Sequence, residues 1–275
     1  MQKKLPLGIF DSGFGGLSVA KSIHNLLPQE DLIYIADSAF TPYGDIKESD
    51  IIKRSLLISD FLVNKKKSKA IVIACNTATA FAVNVLRDRF NIPIIGMETA
   101  VKPALKVTLN KLVGVLATSG TSKSAKFSAL LERYSGDVKF FVQPCPGLVN
   151  AIERGNFDDA ELFELLEKYL ANFKKNNVDT IVLGCTHFVY IKHLVKKIMG
   201  TDIKIVDTSE AVARQLRVKL DVFNLRANSS EPNEKMKLIL TKHKNIPQVI
   251  DQFLSGSNLS FKLELCKVCL IEILI

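Results

Sequence analysis

Three features of the chain predict an α/β fold made of two similar parallel-sheet domains with a site in the cleft between them. Short apolar, β-rich runs alternate with segments of helical periodicity over most of the 275 residues. A degenerate repeat relates the first hundred residues to the next hundred. Two of the apolar runs, at equivalent places in that repeat, each end in a cysteine.

Residues 7–10 form an apolar run leading into a Gly-rich turn, and Val19, Ile23, Leu26 and Leu27 then share one helix face as far as Pro28, which cannot continue a helix. Residues 32–35 read as the next strand, followed by a loop containing Thr41-Pro42-Tyr43-Gly44. Ile51, Ile52, Ile58, Phe61 and Leu62 space as a helix, 70–74 as a buried strand, 77–90 as a helix and 92–96 as a strand. The alternation continues with strands at 112–116, 138–142, 180–183 and 203–206, a long helix over 158–176 and another near 210–220. An Asn- and Ser-rich loop over 224–234 precedes strands at 236–240 and 259–265, separated by a short helical segment.

In the repeat, Gly8-Ile9-Phe10-Asp11-Ser12-Gly13 aligns with Gly114-Val115-Leu116 and, after one residue of slack, Ala117-Thr118-Ser119-Gly120. Ile71-Val72-Ile73-Ala74-Cys75-Asn76-Thr77 aligns with Ile181-Val182-Leu183-Gly184-Cys185-Thr186-His187. The expected domain limits follow: residues 1–97 and 208–275 for the first, discontinuous domain and 98–207 for the second. Ligands of open parallel sheets bind outside the carboxyl ends of the strands, so two facing halves would bring Cys75 and Cys185 to one cleft from opposite sides.

Charge is in excess, with 37 Lys+Arg against 28 Asp+Glu. Its only dense run, Lys65, Lys66, Lys67 and Lys69, has no interleaved aromatic residues and reads as a solvated loop, so no nucleic-acid partner is expected. Five cysteines are too few, and odd in number, for a disulfide framework, which points to reduced thiols and a cytoplasmic location. The first eleven residues lack a signal-peptide core, and no apolar run approaches the roughly eighteen residues of a membrane helix.

A single buried cysteine is most often an inert small hydrophobe. The pairing alters that weight, because Cys75 and Cys185 are each followed by polar residues, Asn76-Thr77 and Thr186-His187, able to cap the next helix or to bind a ligand. Two acid/base groups on opposite faces of a substrate suit inversion of a stereocentre: one removes a proton while the other donates from the far side. Asp11 and His187 are placed to orient or tune the two thiols. A nearby carboxylate discourages a thiolate, so Asp11 fits a proton partner better than an electrostatic activator.

The chain resembles the glutamate racemases of the aspartate/glutamate racemase superfamily. The resemblance rests on Asp11-Ser12-Gly13-Phe14-Gly15-Gly16-Leu17-Ser18, Pro42-Tyr43-Gly44, Cys75-Asn76-Thr77-Ala78 and Gly184-Cys185-Thr186-His187, with further matches at Gly96-Met97-Glu98, Ala117-Thr118, Cys145-Pro146 and Ile152-Glu153-Arg154-Gly155. It implies interconversion of L- and D-glutamate without pyridoxal phosphate, metal or other cofactor, supplying D-glutamate for peptidoglycan. By match, Cys75 acts on the D-glutamate proton and Cys185 on the L-glutamate proton, assisted by Asp11 and His187, with Glu153 in a supporting role. Asp11, Ser12, Tyr43, Gly44, Asn76, Thr77, Thr118, Thr186 and His187 match positions that hold the amino acid. His187 also separates glutamate from aspartate relatives, which resemble Gly-Cys-Thr-Glu at this place. Thr99, Asn150 and Val189 stand where the family commonly has Pro, a difference in backbone stiffness rather than in acid/base groups.

Two features point elsewhere. Gly13-Phe14-Gly15-Gly16 looks like a dinucleotide loop but lacks the third glycine of G-x-G-x-x-G, and the chain has no P-loop Gly-Lys-Ser/Thr. Cys266-Lys267-Val268-Cys269 is a CxxC without a second pair or a nearby histidine, so it reads as an edge strand or tail rather than a metal site. The apolar run after it would suit a homodimer contact.

Overall fold

The computed structural model of the chain describes residues 2–136, 138–228, 233, 235–242, 247–255 and 259–265. In chain order the elements are β1 (Leu7–Asp11), α1 (Leu17–Leu26), β2 (Leu32–Ala36), α2 (Glu48–Asp60), β3 (Ala70–Ile73), α3 (Asn76–Arg89) and β4 (Ile94–Gly96). Then come α4 (Val101–Leu105), β5 (Leu112–Ala117), α5 (Ser119–Lys123), α6 (Ala125–Glu132), β6 (Lys139–Pro144), α7 (Leu148–Glu153) and α8 (Ala160–Lys175). The rest are β7 (Thr180–Gly184), α9 (Lys192–Met199), β8 (Lys204–Val206), α10 (Ser209–Val222), β9 (Lys235–Leu240), α11 (Pro247–Leu254) and β10 (Ser260–Leu265).

These strands form two parallel sheets, one of order β10-β9-β2-β1-β3-β4 and one of order β6-β5-β7-β8. Helices cover both faces of the first sheet, so its central strands are apolar throughout: every residue of β1, β2 and β3 is buried. The order β2-β1-β3-β4 corresponds to β6-β5-β7-β8, with β1 flanked by β2 and β3 as β5 is by β6 and β7. The chain therefore leaves the two sheets at matching points. Cys75 follows β3 directly beside the end of β1, and Cys185 follows β7 directly beside the end of β5.

One apolar core runs through both sheets, joining Leu7, Ile9 and Leu17 of the first to Leu148, Phe188 and Leu183 of the second. Separate clusters fill the outer face of the first sheet, around Phe10, Ile58 and Leu86, and of the second, around Val113, Val115 and Phe127. After β8, helix α10 packs on α1, and β9 then adds to the open edge of β2 in parallel register. Among the described residues no helix is long and apolar enough to cross a membrane.

The basic run departs from the expected solvated loop. Lys65 and Lys67 are exposed, but Lys69 is buried and its Nζ lies 2.5 Å from Glu30 while donating to the Lys3 carbonyl at 2.7 Å. Glu30 also accepts the Ala227 N–H at 2.8 Å. A lysine among lysines looks solvated in sequence, and its counter-charge sits on a distant loop that only folding brings close.

Candidate active site

Asp11, the last residue of β1, is fully buried and shapes the turn that follows. Its Oδ1 accepts the Ser12 N–H at 2.7 Å and its Oδ2 accepts the Gly16 N–H at 2.7 Å, curling Gly13–Gly16 around the carboxylate. The Tyr34 hydroxyl holds the same turn from beneath, donating to the Gly13 carbonyl at 2.8 Å. Beside it, Cys75 caps α3: its Sγ accepts the Ala78 N–H at 3.4 Å and lies 3.9 Å from Ser12 Oγ. Burial raises the Cys75 thiol well above its ordinary pKa; Asp11 and Cys185 push the same way, and the Ala78 and Ser12 N–H groups oppose them. Burial likewise raises Asp11 above the usual carboxylate value, countered by His187 and by hydrogen bonds from Gly16, Cys75 and Ser12.

The second thiol has different company. Cys185 Sγ lies 3.7 Å from His187 Nδ1, and His187 Nε2 lies 2.8 Å from Glu153 Oε1. Glu153 also accepts the Phe14 N–H at 2.9 Å, so this carboxylate from α7 reaches the Gly-rich turn of the other sheet. Protonated, as these two partners favour, His187 donates from Nε2 to Glu153 and from Nδ1 toward the Cys185 sulfur. The Gly15 N–H, 3.2 Å from Nε2, would suit a neutral ring with Nε2 unprotonated, but the Glu153 contact is shorter and charge-assisted and prevails. Burial alone would depress the His187 pKa, yet its interactions with Cys185 and Glu153 outweigh that and raise it well above the ordinary value.

The glycines of the turn have a steric reason. A Cβ on Gly13 would overlap the Glu153 carboxylate, and one on Gly15 would overlap the His187 ring. The turn is thus a socket for two side chains of the opposite sheet rather than a phosphate loop.

The remaining candidates meet at the same interface. Thr186 Oγ1 donates to Asp11 Oδ2 at 3.3 Å, and the hydroxyls of Thr77, Thr118 and Thr121 form a triangle of 2.9, 3.1 and 3.0 Å between α3 and the start of α5. Thr118 also lies under Gly44, where a Cβ would stand 2.7 Å from the Thr118 Cβ. Asn76 is buried, its Nδ2 donating to the Met97 carbonyl at 3.4 Å and its Oδ1 without a hydrogen-bond partner. Helix capping, the ordinary expectation for Asn76 and Thr77, falls instead to Cys75 itself, and Thr118 caps α5.

Tyr43 is anchored through its phenol. Its ring is buried and its hydroxyl donates to Asp37 at 2.6 Å, so the Tyr43-Gly44 turn presents backbone rather than phenol toward Thr118. Cys145 is buried with its Sγ donating to the Gln143 carbonyl at 3.3 Å, and burial pushes that thiol far up. Cys266 and Cys269 lie outside the described residues. Among the described residues no group of three or more His, Cys, Asp or Glu side chains is placed to hold a metal ion. Asp37, Arg54 and Thr241, which support the Tyr43 turn, went unnoticed in the sequence because none sits in a motif.

Two parallel sheets, each with a buried thiol just past the carboxyl end of a strand, define a two-domain α/β protein. The chain belongs to the Asp/Glu/Hydantoin racemase family, which it matches over residues 9–216. A glutamate racemase of Pseudomonas paraeruginosa is 49% identical over 224 residues, 81% of this chain and 84% of the relative. The glutamate racemase of Francisella tularensis, solved in complex with D-glutamate, aligns with a TM-score of 0.82 at 29% identity, covering 97% of this chain and 98% of that one. The Escherichia coli glutamate racemase, solved with L-glutamate and the activator UDP-MurNAc-ala, gives a TM-score of 0.82 at 28% identity over 95% and 98% of the two chains.

Proposed function

We propose that this chain interconverts L- and D-glutamate by a cofactor-independent, two-thiol mechanism and supplies D-glutamate for peptidoglycan synthesis in the cytoplasm. The observation that carries the reading is the pair of buried thiols at matching strand ends, each with its own titratable neighbour, Asp11 for Cys75 and the His187–Glu153 pair for Cys185. The glutamate racemases among its relatives and His187 after Cys185 support glutamate over aspartate.

In the D-to-L direction, the Cys75 thiolate removes the Cα proton, and the electron pair left on Cα is delocalised into the adjacent carboxylate. The Cys185 thiol then delivers its proton to the opposite face, so Cys75 ends protonated and Cys185 ends as thiolate. The reverse direction exchanges the two roles. The Cys185 thiolate is hydrogen-bonded by protonated His187, held in place by Glu153. The substrate carboxylates are bound by backbone N–H groups, those of the Tyr43-Gly44 turn among them, and by hydroxyls of Ser12, Thr77, Thr118 and Thr186, without an arginine. The buried, unpartnered Asn76 Oδ1 and the Asp11 carboxylate are acceptors suited to the ammonium group. The same reading divides the chain at 1–97 with 208–275 and at 98–207; a homodimer contact would rest on the apolar C-terminal tail.

The test is exchange of the Cα proton in deuterated water together with the change in optical rotation. Glutamate of either hand should exchange and racemise, and aspartate should be turned over far more slowly. Full activity in a Cys75→Ala/Cys185→Ala double variant would refute the mechanism, and a preference for aspartate would refute the substrate.

A further inference from the structure

Asp37, the residue after β2, is fully buried, and four side-chain hydrogen bonds converge on its carboxylate. Arg54 of α2 donates through Nη2 to Oδ1 at 2.6 Å and through Nε to Oδ2 at 2.8 Å. The Tyr43 hydroxyl donates to Oδ2 at 2.6 Å, and the Thr241 hydroxyl, just past the end of β9, donates to Oδ1 at 2.8 Å. Thr241 is itself stitched to the loop after β2: its Oγ1 accepts the Ala39 N–H at 3.1 Å and its N–H donates to the Ala36 carbonyl at 3.2 Å. Next to it Ser38 and Lys242 exchange hydrogen bonds of 2.9 and 3.1 Å.

From this convergence we infer that Asp37 is a positioning residue for the substrate turn at Tyr43-Gly44, and that the C-terminal segment, through Thr241, completes the device. Stability alone does not account for a buried ion pair here, since apolar residues of similar volume commonly do as well in a core. Location does account for it. Asp37 stands at the carboxyl end of its strand, where the site lies, and it grips the phenol of the residue directly before Gly44. Gly44 in turn fits against Thr118 with no room for a Cβ, so a small shift of the turn either strikes Thr118 or opens a gap where substrate is held. Thr241 lies beyond the stretch that matches the family, residues 9–216, so a part of the site is supplied by a segment the shared motifs do not reach.

The inference rests on the proposed glutamate site, and its test uses two readouts so that the two can fail separately. Thr241→Val and Tyr43→Phe each remove one hydroxyl donor to the carboxylate without removing its ion pair. Each should raise KM for glutamate about fivefold, with kcat within about twofold, because the turn binds ground and transition states alike. Backbone amides in peptides covering residues 39–45 should exchange with deuterated water several-fold faster. Thr241→Ser, which keeps the hydroxyl, should restore both. A purely structural role would lower the melting temperature and leave KM of the folded enzyme at the wild-type value. Unchanged KM, unchanged exchange, or failure of Thr241→Ser to restore either one overturns the inference. Should the wild-type chain fail to turn over glutamate at all, the proposed function falls, and the exchange measurement alone decides whether Asp37 and Thr241 hold the turn.

Discussion

Cys75 and Cys185 follow strands that occupy the same place in sheets of the same order, yet their surroundings differ in kind. Cys75 lies beside a buried carboxylate and accepts the N–H of Ala78 in the first turn of α3; Cys185 faces an imidazole whose far nitrogen is held by Glu153. Topology repeats because two parallel sheets with helices on both faces are stable in the same strand order. Chemistry diverges because a thiol's readiness to give or take a proton depends on charges within a few ångströms, which the repeat leaves free to vary. In the proposed mechanism symmetric positions serve the two mirror-related faces of the substrate, and unequal partners adjust each thiol on its own.

The most severe way to break the comparison is to remove either thiol. Cys75→Ala and Cys185→Ala should each lower racemisation by at least about a thousandfold while circular dichroism shows the fold unchanged. A variant retaining a tenth of wild-type turnover would mean that its thiol has a substitute.

Replacing the imidazole tests whether it belongs to one face. His187→Asn should lower kcat/KM about a hundredfold. The enantiomers have equal free energy, so that loss must be the same in both directions, and kcat/KM cannot reveal the asymmetry. Isotope effects can. Cα-deuterated L-glutamate, deprotonated by Cys185, should show a larger primary effect in the variant than Cα-deuterated D-glutamate; equal effects would detach His187 from Cys185.

The pH profile sharpens the other side. Cys75 titrates well above its ordinary value of 9.0, so at neutral pH little of it is thiolate. In the proposed mechanism removal of the D-glutamate proton needs that thiolate, so kcat/KM, equal for the two enantiomers at each pH, should climb about tenfold per pH unit from 7 to 9. A plateau below pH 8 would show that the Ala78 and Ser12 N–H groups offset burial and Asp11 in the free enzyme.

Glu153→Gln is expected to be milder, lowering kcat/KM about tenfold, because glutamine can still accept from Nε2 but carries no charge to stabilise an imidazolium. The smallest effect on turnover belongs to the opposite end of the first sheet. Lys69→Met strands Glu30 without its cation in a buried place and should cost about 3 kcal/mol in denaturant unfolding. It should leave kcat/KM within about twofold, separating stability at the base of the sheet from chemistry at its carboxyl end.

Much of this arrangement was legible in the chain. Apolar runs such as Ile71-Val72-Ile73 and Ile181-Val182-Leu183 are buried on both faces and so announce themselves without a partner. Asp11, Cys75, Cys185 and His187 stand out because each lies in or directly after such a run. Other contacts left no local trace. Lys69 reads as solvated among lysines, the Tyr43 phenol carries no mark of its bond to Asp37, and the Gly-rich turn gives no sign that Glu153 and His187 fill it.

By itself, then, the sequence determined the alternation of strands and helices, the parallel sheets and the placing of a thiol after one strand of each, since burial periodicity and backbone punctuation act over a few residues. Tertiary structure alone decided which groups face each thiol, which glycines must stay bare, and that Asp37 joins Arg54, Tyr43 and Thr241. Those outcomes depend on hydrogen bonds and ion pairs between residues far apart in the chain, whose strength comes from being brought together out of water.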